Sequence, residues 1–316
     1  MNVHTRPVIF LSIGGLIFSL SGVAVAYSSM GTSALGFYRM LLGGLAVAMF
    51  AGVKKFPLQT TRKSFIYACL AGFALALDMY WWHKSIRMVG PGLGAILTNC
   101  QSFSLAIFAY FLFQETITIV YFLSLMLALL GIFLVSGLGA VLHGSGALSA
   151  EYLWGVAMGL GSAVAYALCV VFIKLAQQTE RPTHPVVNMV ILCAAAALFL
   201  LVSSLAEGES LAIPDRKNLM TLIAYGLIVQ GVAWLMVSSA LPYVKTSLAG
   251  LILLSEPVGT YLIDILFFSA KPTVVALAGI ALTLTGVYVG SLYGTAKVAN
   301  NSGAIRARRR SSPSRR

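Results

Sequence analysis

The sequence predicts an all-α membrane protein, ten transmembrane helices arranged as two inverted five-helix repeats with both termini in the cytoplasm. Three observations lead there. The 316 residues are 59% hydrophobic and only 9% charged, against about 25% charged in soluble domains, and the mean hydropathy is +0.91. Apolar segments of about 20 residues, long enough to cross a hydrocarbon core of about 30 Å, recur along the whole chain with short breaks. A shift of 155 residues brings one half of the chain into register with the other.

Backbone amides in lipid must be satisfied within the segment, and these runs lack the alternation of a barrel strand, so each span is a helix. The first, 7–27, lacks the charged leading region and small-residue cleavage site of a removable signal peptide, and the second, 34–53, follows almost at once. The first is therefore expected to be a retained helix. The second holds Arg39 inside its apolar run, and the third, 64–82, leads into LDMYWWHKS at 77–85. There Asp78 and Trp82 stand four apart on one face. The fourth span, 92–113, carries Asn99, with Thr98 and Gln101 three apart beside it; the fifth is 117–137. In the sixth, 152–176, Gly155 and Gly159 have the spacing of close helix contact, and Tyr166 and Cys169 follow. The seventh is 185–206; the eighth, 219–241, places Gln230 and Trp234 four apart. The ninth, 247–269, contains Glu256 beside Pro257, and the tenth, 273–293, contains Gly286 and Gly290.

The net charge of +12 follows the membrane rather than a nucleic acid. With a cytoplasmic N-terminus, that side collects Arg6, Lys54, Lys55, Arg62, Lys63, Lys174, Arg181, Lys245, Lys297 and six tail arginines, while the other side has only Lys84, Arg87, Arg216, Lys217 and Lys271. The excess of positive charge places both termini inside. The tail RARRRSSPSRR has no apolar content with which to fold, so it is expected to be disordered and to meet anionic head groups. The longest loops, 138–151 and 207–218, leave no soluble domain for a catalytic site. Cys69, Cys100, Cys169 and Cys193 all fall inside spans without CxxC spacing, which suggests packing rather than a disulfide framework or a metal site.

The 155-residue shift pairs Val89 with Val244, Leu93 with Leu248, Thr118 with Thr273, Leu127 with Leu282 and Gly131 with Gly286. It also pairs Gln101 with Glu256 and Ser102 with Pro257 at the centres of the fourth and ninth spans. Five crossings per copy force the second copy to enter from the opposite side, so the halves, 1–139 and 140–296, are inverted, with 297–316 as the tail. Sites in such folds lie at the midplane where the halves meet.

Ten helices as five plus five, FQETIT at 113–118, SEPV at 255–258, and Gly131 and Gly286 in the helices that end each half resemble the drug/metabolite transporter superfamily in its EamA-like branch. The resemblance implies a cavity lined by the first, third, fourth, sixth, eighth and ninth helices, with the fifth and tenth packing the halves together. It also implies secondary-active transport of small organic metabolites, often outward and often amino acids or amines, by alternating access in the inner cell membrane. Glu115, the acidic residue after the fourth helix, has no counterpart after the ninth, where Ala270 and Lys271 stand. It therefore reads as a helix-end or gate contact.

Ionisable groups inside a span cost roughly 2.5 to 3.5 kcal/mol at its centre and usually face a cavity or a partner. Glu256 is the most central. Pro257 lacks an N–H and crowds the carbonyl of Leu253, so a bend is expected there. A carboxylate, a freed carbonyl and a bend make a polar notch that could bind a substrate amine or exchange a proton; the plainer reading is a neutral Glu256 bonded to a neighbouring helix. Asp78 and Arg39 lie at similar depth and are expected to pair, as an outer gate or a static pin. Trp82 is an interface anchor or part of an aromatic wall above the cavity. Gln101, Asn99, Trp234 and Tyr166 serve either interhelical hydrogen bonds or the substrate.

No GxGxxG loop, Walker motif, HExxH or nucleophile elbow is present, so no cofactor, nucleotide-driven pumping or hydrolysis is expected. His4, His83, His143 and His184 are scattered, which argues against an intramembrane enzyme. A non-transporting membrane partner remains the other reading. The glycines favour packing within the bundle over a dimer face, which leaves a monomer or homodimer in the bilayer, with protons as a candidate coupling ion.

Overall fold

The computed structural model describes residues 5–89, 91–135, 149–179, 183–268 and 273–295. The expected repeat boundary near residue 139, Lys271 and the basic tail lie outside the described residues. Among those described, every regular element is a helix. The first span is α1 (Thr5–Phe18) and α2 (Leu20–Tyr27), the second α3 (Thr32–Val53), the third α4 (Arg62–Val89). The fourth is α5 (Pro91–Asn99) and α6 (Gln101–Phe113), the fifth α7 (Ile119–Val135). The sixth is α8 (Ala150–Gln177) and the seventh α9 (Pro185–Ala206). The eighth joins α10 (Arg216–Ala224), a π-helix (Tyr225–Ala233), α11 (Trp234–Ala240) and a 3-10 turn (Leu241–Tyr243). The ninth is α12 (Thr246–Leu253) and α13 (Ser255–Phe268), and the tenth α14 (Val274–Thr295). Among the described residues nine spans have the length and hydropathy to cross a bilayer, and α7 adds a tenth of 17 residues, about 26 Å at 1.5 Å per residue.

Short polar side chains start these helices by taking up otherwise unpaired backbone N–H groups. Ser149 accepts from the N–H of Tyr152, Asp215 from Asn218 and Thr118 from Tyr121, at 3.1, 2.7 and 3.1 Å. Three spans break in mid-membrane, at Ser19, Cys100 and Leu254, where the chain tightens onto the carbonyls of Leu16, Leu97 and Leu251. The break at Leu254 has a local cause: Pro257, three residues on, supplies no N–H to carry the ladder through. The breaks at Cys100 and Leu254 differ from the repeat offset by one residue.

The two ends of the bundle are identified by their loop contacts. At one end Thr60 meets Thr183 at 2.8 Å, and Phe56 stacks on His184. This end carries Lys54, Lys55 and Lys245, and is called the basic end below. At the opposite end Glu209 accepts from the N–H of Ala34, Asn218 accepts from Ser28, and Lys84 pairs with Glu207. The third span packs along the sixth, and the fifth along the tenth. The fifth–tenth contact depends on glycine. A Cβ on Gly286 would stand 2.6 Å from the carbonyl of Ser124, and one on Gly131 would strike Gly279 and Thr283. Phe111, Met49, Leu198 and Tyr288 are exposed on the outer surface, where lipid rather than water is the neighbour.

Candidate functional site

A cavity of about 410 Å³ lies among the three helix breaks and extends toward the end opposite the basic one. Its size suits a small organic solute. It is lined by Phe18, Ser21, Arg39, Leu75, Asp78, Met79, Trp82, Thr98, Asn99, Gln101, Val135, Tyr166, Trp234, Glu256, Pro257, Thr260 and Tyr261, with Gly22. Glu256, Gln101, Trp82, Asp78, Trp234, Tyr166 and Asn99 therefore meet around one space. Arg39 of the second span and Val135 of the fifth line it as well, beyond the helices the resemblance implied.

Glu256 sits in the first turn of α13, because the break at Leu254 restarts the helix just before it. Backbone N–H groups there favour a negative charge. Its main-chain carbonyl accepts from Ser19 Oγ at 2.9 Å and Thr260 Oγ1 at 3.2 Å, so the first and ninth spans are tied at their breaks. Its carboxylate makes no hydrogen bond or ion pair among the described residues, and Arg39 and Asp78 are its charged neighbours.

Arg39 is 6% exposed. Its Nε donates to Gln230 Oε1 at 3.1 Å, its Nη1 donates to the hydroxyl of Tyr225 at 2.8 Å, and the guanidinium lies 4.6 Å from the Tyr225 ring. Tyr225 and Gln230 are five residues apart, a spacing that an α-helix at 3.6 residues per turn would splay by roughly 140°. The wider π-helical turn brings them to one side. The expected pairing of Arg39 with Asp78 does not occur. Asp78 instead accepts from Ser162 Oγ at 2.6 Å, which pins the third span to the sixth, and Asp78 and Arg39 line the same cavity without a salt bridge between them.

Three cavity atoms are buried without a hydrogen-bond partner among the described residues: Gln101 Oε1, Tyr166 OH and Trp234 Nε1. Buried polar groups are nearly always paired, so a cluster of three needs a reason. One acceptor and two groups able to donate face the space that also holds Glu256 and Arg39. Around them, the Trp234 ring lies 5.2 Å from Phe18 and 5.9 Å from Tyr166, forming an aromatic wall, while Trp82 leans on His83 at 4.9 Å. No group of three His, Cys, Asp or Glu side chains able to hold a metal occurs among the described residues.

Glu115 stands apart from this cavity, at the basic end. Gln114, in the left-handed conformation at φ 52°, ends α6 and turns the chain there. Glu115 then accepts from the N–H groups of Thr246 and Ser247 at 2.7 and 3.1 Å and from Ser247 Oγ at 2.7 Å, and pairs with Lys174 at 3.5 Å. Sequence reasoning missed Lys174, Tyr225 and Ser162 as site partners. Lys174 reads as a flanking charge, and Tyr225 and Ser162 carry no local signal of which helix they will face.

A model of the EamA-like transporter family matches residues 5–137 and 153–292, one copy on each half of the chain. No curated protein matches the sequence. A solved crystal structure superposes with a TM-score of 0.77, covering 90% of this chain and 96% of that one at 17% identity, a likeness of fold alone.

Proposed function

The chain belongs to the EamA-like transporter family and is thus a multi-pass membrane transporter of small molecules; on that premise we propose that it is a secondary-active exporter of amino acids or amines. Substrate would occupy the cavity between the repeats, in the inner membrane, with both termini in the cytoplasm. Alternating access would expose it to each side in turn, driven by protons or by the substrate's own gradient. The observation that supports this reading is a carboxylate, Glu256, left without a partner among the described residues on a cavity that also holds the Arg39 guanidinium. A site with one cation and a free carboxylate suits a dipolar solute better than a simple amine. An ammonium would meet Glu256, or a proton would replace it there, and a carboxylate would meet Arg39.

Trp82, Trp234 and Tyr166 would take the apolar body by stacking and cation–π attraction. Gln101 and Asn99 would supply polar contacts, Asp78 a second negative charge held by Ser162, and Pro257 the bend that opens the helix. Glu115 would act as a gate contact at the basic end.

The test is Glu256→Gln in proteoliposomes, with counterflow of radiolabelled phenylalanine and of phenethylamine. Replacing a charge-assisted hydrogen bond by a neutral one removes about 1–2 kcal/mol, a loss of roughly 5- to 30-fold in affinity. Wild-type rate, affinity and pH dependence in the variant would refute the role given to Glu256.

A further inference from the structure

Lys174 is 5% exposed, at the basic end of α8. Its Nζ donates to the carbonyl of Val244 at 2.9 Å and to Thr246 Oγ1 at 2.8 Å, lies 3.5 Å from Glu115 Oε1, and sits 4.7 Å from the Phe113 ring centroid. All three ammonium protons thus have a use, and the carboxylate facing it takes three bonds from Thr246 and Ser247 besides the Lys174 contact. Nothing from the side chain of Lys245 caps the start of α12; Glu115 does so from the other repeat. A fully satisfied buried network is rigid, and losing one member leaves charge uncompensated.

This network joins the two repeats at one level. Glu115 comes from the first, and Lys174, Thr246 and Ser247 from the second. Two bonds continue the seam toward the cavity: Tyr121 OH donates to the carbonyl of Ser247 at 2.9 Å, and Ser102 Oγ donates to that of Gly250 at 2.8 Å. Every residue of α12 is buried. No cavity-lining residue lies on α12, and on α6 only Gln101, at its first position, does, so the seam fills the space between the cavity and the basic end.

The device is one-sided. The repeat offset places Ala270 opposite Glu115, and the first span has no cationic residue after Arg6 to match Lys174. Ala270 lies outside the described residues, but an alanine has no charge to offer. We propose that Lys174 and Glu115 form a one-sided ionic latch that closes the cavity at the basic end, and that Lys174 is the positioning residue that sets how often this end opens. The idea rests on the transporter reading only in requiring that the cavity open at this end at some stage. The molecule is closed there, and the two ends differ in their ion pairs: among the described residues the Lys174–Glu115 pair is buried, whereas Lys84–Glu207 at the opposite end is partly exposed.

The test reads conformation without substrate. Leu105 of α6 is wholly buried and faces Gly250 across the seam. Leu105→Cys, in a chain whose four native cysteines are replaced by alanine, is labelled with N-ethylmaleimide in membranes. Lys174→Met should label roughly tenfold faster or more, the factor that about 1.4 kcal/mol of lost latch represents, while Lys174→Arg stays near the parent rate. Glu115→Gln, which keeps acceptors for Thr246 and Ser247, serves as the second variant should Lys174→Met fail to fold. Unchanged labelling in these variants, with or without a lower melting temperature, makes the contact a static brace and overturns the latch. Accelerated labelling in a protein that moves no solute in proteoliposomes upholds the latch and sinks the transporter reading; transport with unaltered labelling does the reverse.

Discussion

Arg39→Lys keeps the positive charge in the cavity and removes the fork that holds it in place. In the native chain one guanidinium satisfies two buried acceptors at once, Gln230 Oε1 and the Tyr225 hydroxyl, on residues that are 0% and 1% exposed. A lysine ammonium is a point charge on a flexible stem and cannot reproduce that planar pair of bonds. One acceptor left buried and unpaired costs about 1–3 kcal/mol, and the stacking of the cation on Tyr225 adds about 0.5–2 kcal/mol. The expected loss is about 2–4 kcal/mol, a fall of several degrees in melting temperature, since each kcal/mol moves a chain of 150–250 residues by about 2–4 °C. Thermal unfolding of the detergent-purified protein measures it. The same samples with phenylalanine and with phenethylamine test the dipolar cavity, because binding raises the melting temperature by mass action. Phenylalanine should stabilise the native protein more than phenethylamine, and the difference should shrink in the variant. A melting temperature within a degree of wild type, with the same preference between the two probes, would refute both the bracing of Arg39 and its part in recognition.

Two further expectations concern the scaffold. Gly131→Val drives a branched side chain into the backbone of Gly279 and into Thr283, where the fifth and tenth spans touch. Overpacking of this kind costs about 1–3 kcal/mol, so the melting temperature should drop while probe affinity is kept; an unaltered melting temperature would show that the two helices separate freely. At the opposite end, burial pushes the Glu207 carboxyl up, but hydrogen bonds from Lys84 and Tyr80 outweigh it and hold the group below its ordinary value of 4.5. A carboxyl depressed in the folded state stabilises above its unfolded pKa and loses that contribution as pH falls through the folded value. Glu207→Gln should therefore lower stability slightly at pH 7, by no more than about 1 kcal/mol for so exposed a pair. The gap from wild type should close as pH falls below the depressed folded-state value, and a gap that persists once the carboxyl is protonated in both states would rule out the ionic contribution.

Much of the site was legible because its residues break the surrounding pattern. Glu256 and Gln101 are polar at mid-span, Arg39 is a charge inside an apolar run, and the repeat offset sets Gln101 and Glu256 at one depth. Asp78 and Arg39 show the limit of such reasoning. Depth along two helices says nothing about how each is rotated about its axis or which neighbour it meets, and Asp78 turned to Ser162 while Arg39 turned to the eighth span. The π-helix at 225–233 has no signature in apolar periodicity, yet it brings Tyr225 and Gln230 together beneath Arg39.

From the sequence by itself come the number of spans, their helical nature and the twofold repetition, because lipid leaves a long apolar backbone no alternative to satisfying its own hydrogen bonds. The tertiary structure alone decided the lateral neighbours: that Lys174, one flanking charge among many, is buried against Glu115 and the start of α12, and that Gln101, Tyr166 and Trp234, from three different spans, bring unpaired polar atoms to one cavity. Those outcomes depend on helix rotation and close contact between distant segments, and hydrophobic length constrains neither.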